Sequence, residues 1–94
     1  MSNTLIAKIP YLPHLQNESK ILIFVKMMIS KTYLCYPKMK IIDLKQLITL
    51  DTGICIEQQQ LFYVGQILYN YKTFEDFNIR DCSVLQIIIN YDDR

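Results

Sequence analysis

The sequence predicts an α+β fold in which one helix lies across one face of a β-sheet. Three observations carry this. Short segments rich in β-branched and aromatic residues recur along the chain. One stretch, Ile41 to Ile48, switches to helical spacing of its apolar residues. The order is strand, strand, helix, strand, strand, short turn, strand, which leaves a single helix to cover one sheet face.

The elements follow in chain order. Residues 1–20 read as a leader, flexible or weakly ordered, because termini are usually loose. Within it Thr4-Leu5-Ile6-Ala7-Lys8-Ile9 alternates weakly, and Pro10 and Pro13 impose an irregular path. Residues 21–91 form the domain. Ile21-Leu22-Ile23-Phe24-Val25-Lys26 is the first strand, and Thr32-Tyr33-Leu34-Cys35-Tyr36, stopped by Pro37, is the second. Their short connection predicts an antiparallel hairpin. The second strand is apolar on both sides, so its inward pair is either Tyr33 and Cys35 or Leu34 and Tyr36.

Ile41, Leu44, Leu47 and Ile48 predict the buried stripe of the helix. Asp43 complements the dipole at its start, and Gly53 stands where a left-handed cap is needed. Lys40 is a poor N-cap. Gln58 to Val64 reads as a third strand closed by Gly65, Ile67-Leu68 as a short fourth, and Phe74 to Asn78 as one helical turn. Val84 to Asn90 is the last strand, with Leu85, Ile87 and Ile89 inward and Val84, Gln86 and Ile88 outward. Residues 92–94 make a short polar tail.

Composition limits the functions available. Of 94 residues, 51% are hydrophobic and 20% charged, with a net charge of +1. That suits a packed core and argues against disorder. It also argues against electrostatic capture of nucleic acid or an anionic membrane. No apolar run reaches the roughly 20 residues that span a bilayer, and Met1 to Lys20 lacks the pattern of a signal peptide. Three cysteines without a C-x-x-C pair predict reduced thiols and a cytoplasmic or nuclear location.

The chemistry-bearing residues do not assemble a catalyst. His14 is the only histidine and lies in the leader, with no rigid support to bring it to Cys35, Cys55 or Cys82. The same residues lack zinc-site spacing. Glu75, Asp76 and Asp81 read as turn and helix-start residues, not a metal site. No glycine-rich phosphate loop exists. Neither an enzyme nor a cofactor or small-molecule substrate is expected.

One resemblance gathers these elements. Ile23-Phe24-Val25-Lys26 followed by Lys31-Thr32 resembles the opening hairpin of ubiquitin. Gly53-Ile54, Gln58-Gln59, Leu61 and Gly65 are similar to its middle. Leu68, Thr73, Asp76, Asn78-Ile79, Ser83 and Leu85 are similar to the rest. The resemblance covers everything after the leader and needs a two-residue deletion between Tyr33 and Lys40. It implies the β-grasp fold, a mixed five-stranded sheet wrapping one helix. Cys55-Ile56 replace ubiquitin's paired prolines after the helix, which implies a less rigid turn.

The resemblance also implies a function. Carried over position by position, ubiquitin's apolar binding triad falls at Met28, Phe62 and Ile88, with Gln86 at its histidine and Gly65 beside the patch. A secondary apolar patch falls at Ile54 and Tyr91. The stretch from the end of the last strand, Ile89-Asn90-Tyr91-Asp92-Asp93-Arg94, holds no glycine pair, and the only glycines are Gly53 and Gly65. The group by which ubiquitin is conjugated is therefore missing. The expectation is a non-conjugable interaction module, bound by ubiquitin receptors or other proteins of the ubiquitin and proteasome pathway. Alternatives are a scaffold subunit of a larger complex, as elongin B is, or an RNA-binding ubiquitin-like domain of a splicing factor. Leu5, Ile6, Ile9, Tyr11 and Leu12 offer a competing cover for the same face.

Overall fold

A computed structural model describes residues 12–15, 18–27 and 30–91 of the chain. Strand β1 (Ile21–Lys26) pairs antiparallel with β2 (Lys31–Cys35). Helix α1 (Ile41–Thr52) follows, then β3 (Gln59–Tyr63), β4 (Gln66–Ile67) and β5 (Ser83–Ile89). The sheet runs β2-β1-β5-β3-β4. β1 and β5 are parallel, and β3 is antiparallel to both of its neighbours. This is the mixed five-stranded β-grasp expected, with strand ends within a residue or so of those read from the sequence.

Burial follows from the alternation of side chains. Ile23 and Val25 of β1, Leu61 of β3 and Leu85 of β5 point under the helix and have no exposed surface. Ile41, Leu44, Leu47 and Ile48 meet them from α1. The open question in β2 resolves through register: Ile23 stands opposite Tyr33 and Ile21 opposite Cys35, so Tyr33 and Cys35 face the core. Tyr36 is buried as well, because β2 stops at Cys35 and the chain turns, with the Tyr36 N–H donating to Met39 Sδ at 3.4 Å.

The helix ends show how local rules were met. Lys40 supplies no side-chain cap. Its backbone N–H instead donates to Asp43 Oδ2 at 3.0 Å, and the free N–H groups of Ile41 and Ile42 donate to the Lys72 and Asn70 carbonyls. Gly53 takes φ 82° and donates to the Thr49 carbonyl, a left-handed cap. In place of a proline pair, Cys55 to Gln58 closes a single 3-10 turn, with the Cys55 N–H bonded to Gln58 Oε1 at 3.2 Å.

The core begins before residue 21. Pro13–Leu15 forms a 3-10 turn whose Leu15 is only 5% exposed and belongs to the core, with Leu12 packed against it. Beyond it Glu18 pairs with Lys38 at 3.8 Å, and Lys20 Nζ lies 5.0 Å above the Tyr36 ring. This part of the leader is thus tied to the core and to the segment between β2 and α1. The weakly alternating stretch Thr4 to Ile9 lies outside the described residues.

Candidate protein interface

The sheet face turned away from α1 is the candidate site. Cross-strand partners share a face, so register assigns its members. Phe24 stands opposite Val84, and Lys26 opposite Gln86. Phe62 stands opposite Gln86 on one side and Ile67 on the other, and Gln60 opposite Ile88. Phe62, Gln86 and Ile88 are thus brought together at the junction of β3 and β5. Phe62 is half-buried, Gln86 is exposed and Ile88 is 58% exposed. Lys26, Met27, Phe62, Gln86, Ile87 and Ile88 line a shallow groove of about 480 Å³. Met28, the third triad position, lies outside the described residues.

Gly65 sits at the tip of the β3–β4 hairpin with φ 76°, immediately after Val64 with φ 51°. Its contribution is conformational: with positive φ at both positions the connection follows the type I′ pattern, which glycine adopts freely. On the far side of the domain Ile54 is half-buried. Its carbonyl accepts from Thr49 Oγ1 at 2.7 Å and from Gln59 Nε2 at 3.0 Å. Tyr91 is 73% exposed just after the Asn90 N–H docks on the Gln58 carbonyl. The secondary pair therefore flanks the turn that follows the helix.

The structure extends the face beyond the residues named from sequence. Leu22 and Leu34 are opposite one another, as are Phe24 and Thr32, and with Val84 they make a second apolar area across β2, β1 and β5. Lys26 and Gln86 separate it from Phe62, Ile67 and Ile88. The signal was present in the unbroken apolar run Ile21 to Val25, which alternation alone would not produce on a one-sided strand.

Other reactive groups stand apart. Cys35 is buried in the core, and burial pushes its thiol pKa well up; Cys55 and Cys82 are exposed in turns. His14 is exposed on the leader turn. Asp76 accepts a hydrogen bond from the Thr73 N–H at 2.9 Å, and that bond holds its carboxyl below the usual range. Its own N–H donates back to Thr73 Oγ1, so the two residues bond reciprocally at the start of the Glu75–Phe77 turn. Among the described residues, no cluster of three His, Cys, Asp or Glu side chains is placed to hold a metal ion. No helix among them is long and apolar enough to cross a membrane.

Fold and site together define a small β-grasp domain whose outer sheet face is apolar and is not covered by the helix. The model of the ubiquitin family matches residues 23–92, most of the chain. The chain belongs to the ubiquitin family. Among solved structures it is similar to a chain of the crystal structure of ATBAG1 in complex with HSP70, with a TM-score of 0.71 and 21% identity. The similarity covers 76% of this chain and 41% of that one. At this identity the likeness is one of fold.

Proposed function

We propose that this ubiquitin-like domain is a non-conjugated recognition module, docked through the sheet face around Phe62 by proteins that read ubiquitin-like folds. The observation that carries the reading is the convergence of Phe62 and Ile88 on a groove that the helix leaves uncovered, with Ile67 paired opposite Phe62 in the same sheet. An apolar patch of this kind is usually an interaction site. The similar ATBAG1 chain was crystallised in complex with another protein, HSP70, which accords with a protein partner.

A footprint this small gives a weak complex, with Kd roughly 10–500 μM. Phe62→Ala is expected to weaken binding by at least about 1 kcal/mol if the ring is the central anchor. Chemical-shift titration with a ubiquitin-binding helical peptide tests this. Unmoved resonances along β3 and β5 would reject the site. The second apolar area around Phe24 and Val84 favours one other reading, a fixed subunit of a larger complex. A soluble monomer that sediments independently of concentration would count against it.

A further inference from the structure

The outer sheet face is most buried where an open sheet would be most exposed. Thr32 belongs to β2, which among the described residues is an edge strand paired with β1 alone. Register turns Thr32 outward, opposite Phe24, while Tyr33 and Cys35 face the core. Yet Thr32 is only 5% exposed. Gln86 occupies the same face on a central strand, between Lys26 and Phe62, and is exposed. Val84 and Ile88 of that strand are exposed as well. Strand neighbours on both sides therefore do not bury an outward side chain in this sheet, and Thr32 has such a neighbour on one side. Around it Leu22, Phe24 and Leu34 are half-buried. The cover lies over β2 and β1 and stops short of β5.

The described part of the leader indicates where that cover comes from. Ahead of β1, Lys20 Nζ lies over the Tyr36 ring and Glu18 pairs with Lys38, both in the segment that follows β2. Leu15 is buried and Leu12 packs against the core. The chain thus passes the β2 margin of the sheet, away from β3 and β4, with residues 1–11 still to come. Drawn out at about 3.3 Å per residue, residues 4–11 reach roughly 26 Å, whereas the five residues of β2 span about 17 Å. In extended form Leu5, Ala7 and Ile9 share one side, which is wholly apolar, and Thr4, Ile6 and Lys8 share the other.

We infer that the chain supplies its own cover: residues 4–9 dock across the outer side of β2, over Thr32 and Leu34, with Leu5 and Ile9 toward the sheet. The segment is an intramolecular ligand for the β1–β2 half of the outer face. Covering is also what a sheet edge needs if it is not to pair with another chain. An outside apolar partner gains the area of Leu22, Phe24 and Leu34 only when the segment lifts. The groove at Phe62 lies on the other half of the face, so the inference stands apart from the function proposed for that groove.

The test uses the full chain, isotope-labelled. Nuclear Overhauser contacts from the Thr32 methyl are expected to reach the side chains of Leu5 or Ile9. The double variant Leu5→Asp, Ile9→Asp is expected to lose them and to shift the resonances of Leu22, Phe24 and Leu34, with those of Leu61 and Phe62 in place. Its β2 amides should also exchange faster than those of the wild type. Contacts from Thr32 to Met28 or Ile29 alone would assign the cover to the β1–β2 turn and overturn the proposal. Contacts between differently labelled copies in a mixed sample would assign it to a second molecule, and overturn it equally. A double variant whose β1 and β2 resonances match the wild type overturns it too. Should the double variant fail to fold, the wild-type contacts decide.

Discussion

Leu15→Ala tests whether the leader belongs to the domain. Leu15 is 5% exposed and counted among the core residues, although it precedes the first strand by six positions. The substitution removes three carbons from a buried site. At about 0.8 kcal/mol per buried methylene this is roughly 2.4 kcal/mol before any cavity cost. The site lies on a short turn that can settle inward, so the low end of the 2–5 kcal/mol range for Leu→Ala applies, about 2–2.5 kcal/mol. In a domain of this size that lowers Tm by about 10 °C or more. The control is Glu18→Ala. Its ion pair with Lys38 is 3.8 Å long between half-exposed side chains, and pairs of that kind contribute under about 1 kcal/mol. Urea unfolding followed by circular dichroism gives both values from midpoints at constant m. If Leu15→Ala shifts the midpoint no more than Glu18→Ala does, the leader is not part of the core, and the argument from burial is wrong.

Two further outcomes follow from buried polar groups. Stability should fall as pH rises past about 9. Cys35, with an ordinary value of 9.0, and Tyr33, with an ordinary value of 10.0, both have folded pKa values raised, first by burial. Their contribution is whole below those unfolded values and is lost as the unfolded chain ionises. Lys45 works the other way, since burial lowers its pKa and its charging cost is relieved at high pH, but the two large upward shifts dominate. Cys35→Val should delay the fall to the tyrosine range, and urea midpoints measured across pH 8–11 would show a superimposable curve if the reasoning fails. Gln59→Leu should cost about 2–3 kcal/mol in the same unfolding assay. It strips the Lys45 and Ile54 carbonyls and Thr49 Oγ1 of a donor placed 3.0 Å from each; a cost below about 0.5 kcal/mol would refute that accounting.

The strands and helix were legible because each has one period. In β5 the alternation of Leu85, Ile87 and Ile89 with Val84, Gln86 and Ile88 matches the observed burial, deep at Leu85 and shallower toward the strand end. The helix was equally plain, down to the left-handed Gly53. The inward side of β2 was not, because Tyr33, Leu34, Cys35 and Tyr36 offer no polar residue to mark a face, and only pairing with β1 decides between them. Leu15 was invisible for a different reason. Leu12 and Leu15, set among prolines and polar residues, are too few to show a period, and their burial depends on where the rest of the fold leaves an opening. Phe62 could be placed outward from the neighbouring Leu61 and Tyr63, whereas the area of Leu22, Phe24, Leu34 and Val84 required the register of three strands.

The outer face invites a simpler explanation, and the residues differ in how well they resist it. β-branched side chains favour strands whichever way they point, so Val84 and Ile88, exposed by about half, need no partner to account for them. Phe62 resists more, because its ring walls a groove beside Gln86 and Lys26 instead of standing alone. The recognition reading therefore rests more firmly on the groove that Phe62 and Ile88 line together than on the isolated exposure of Val84.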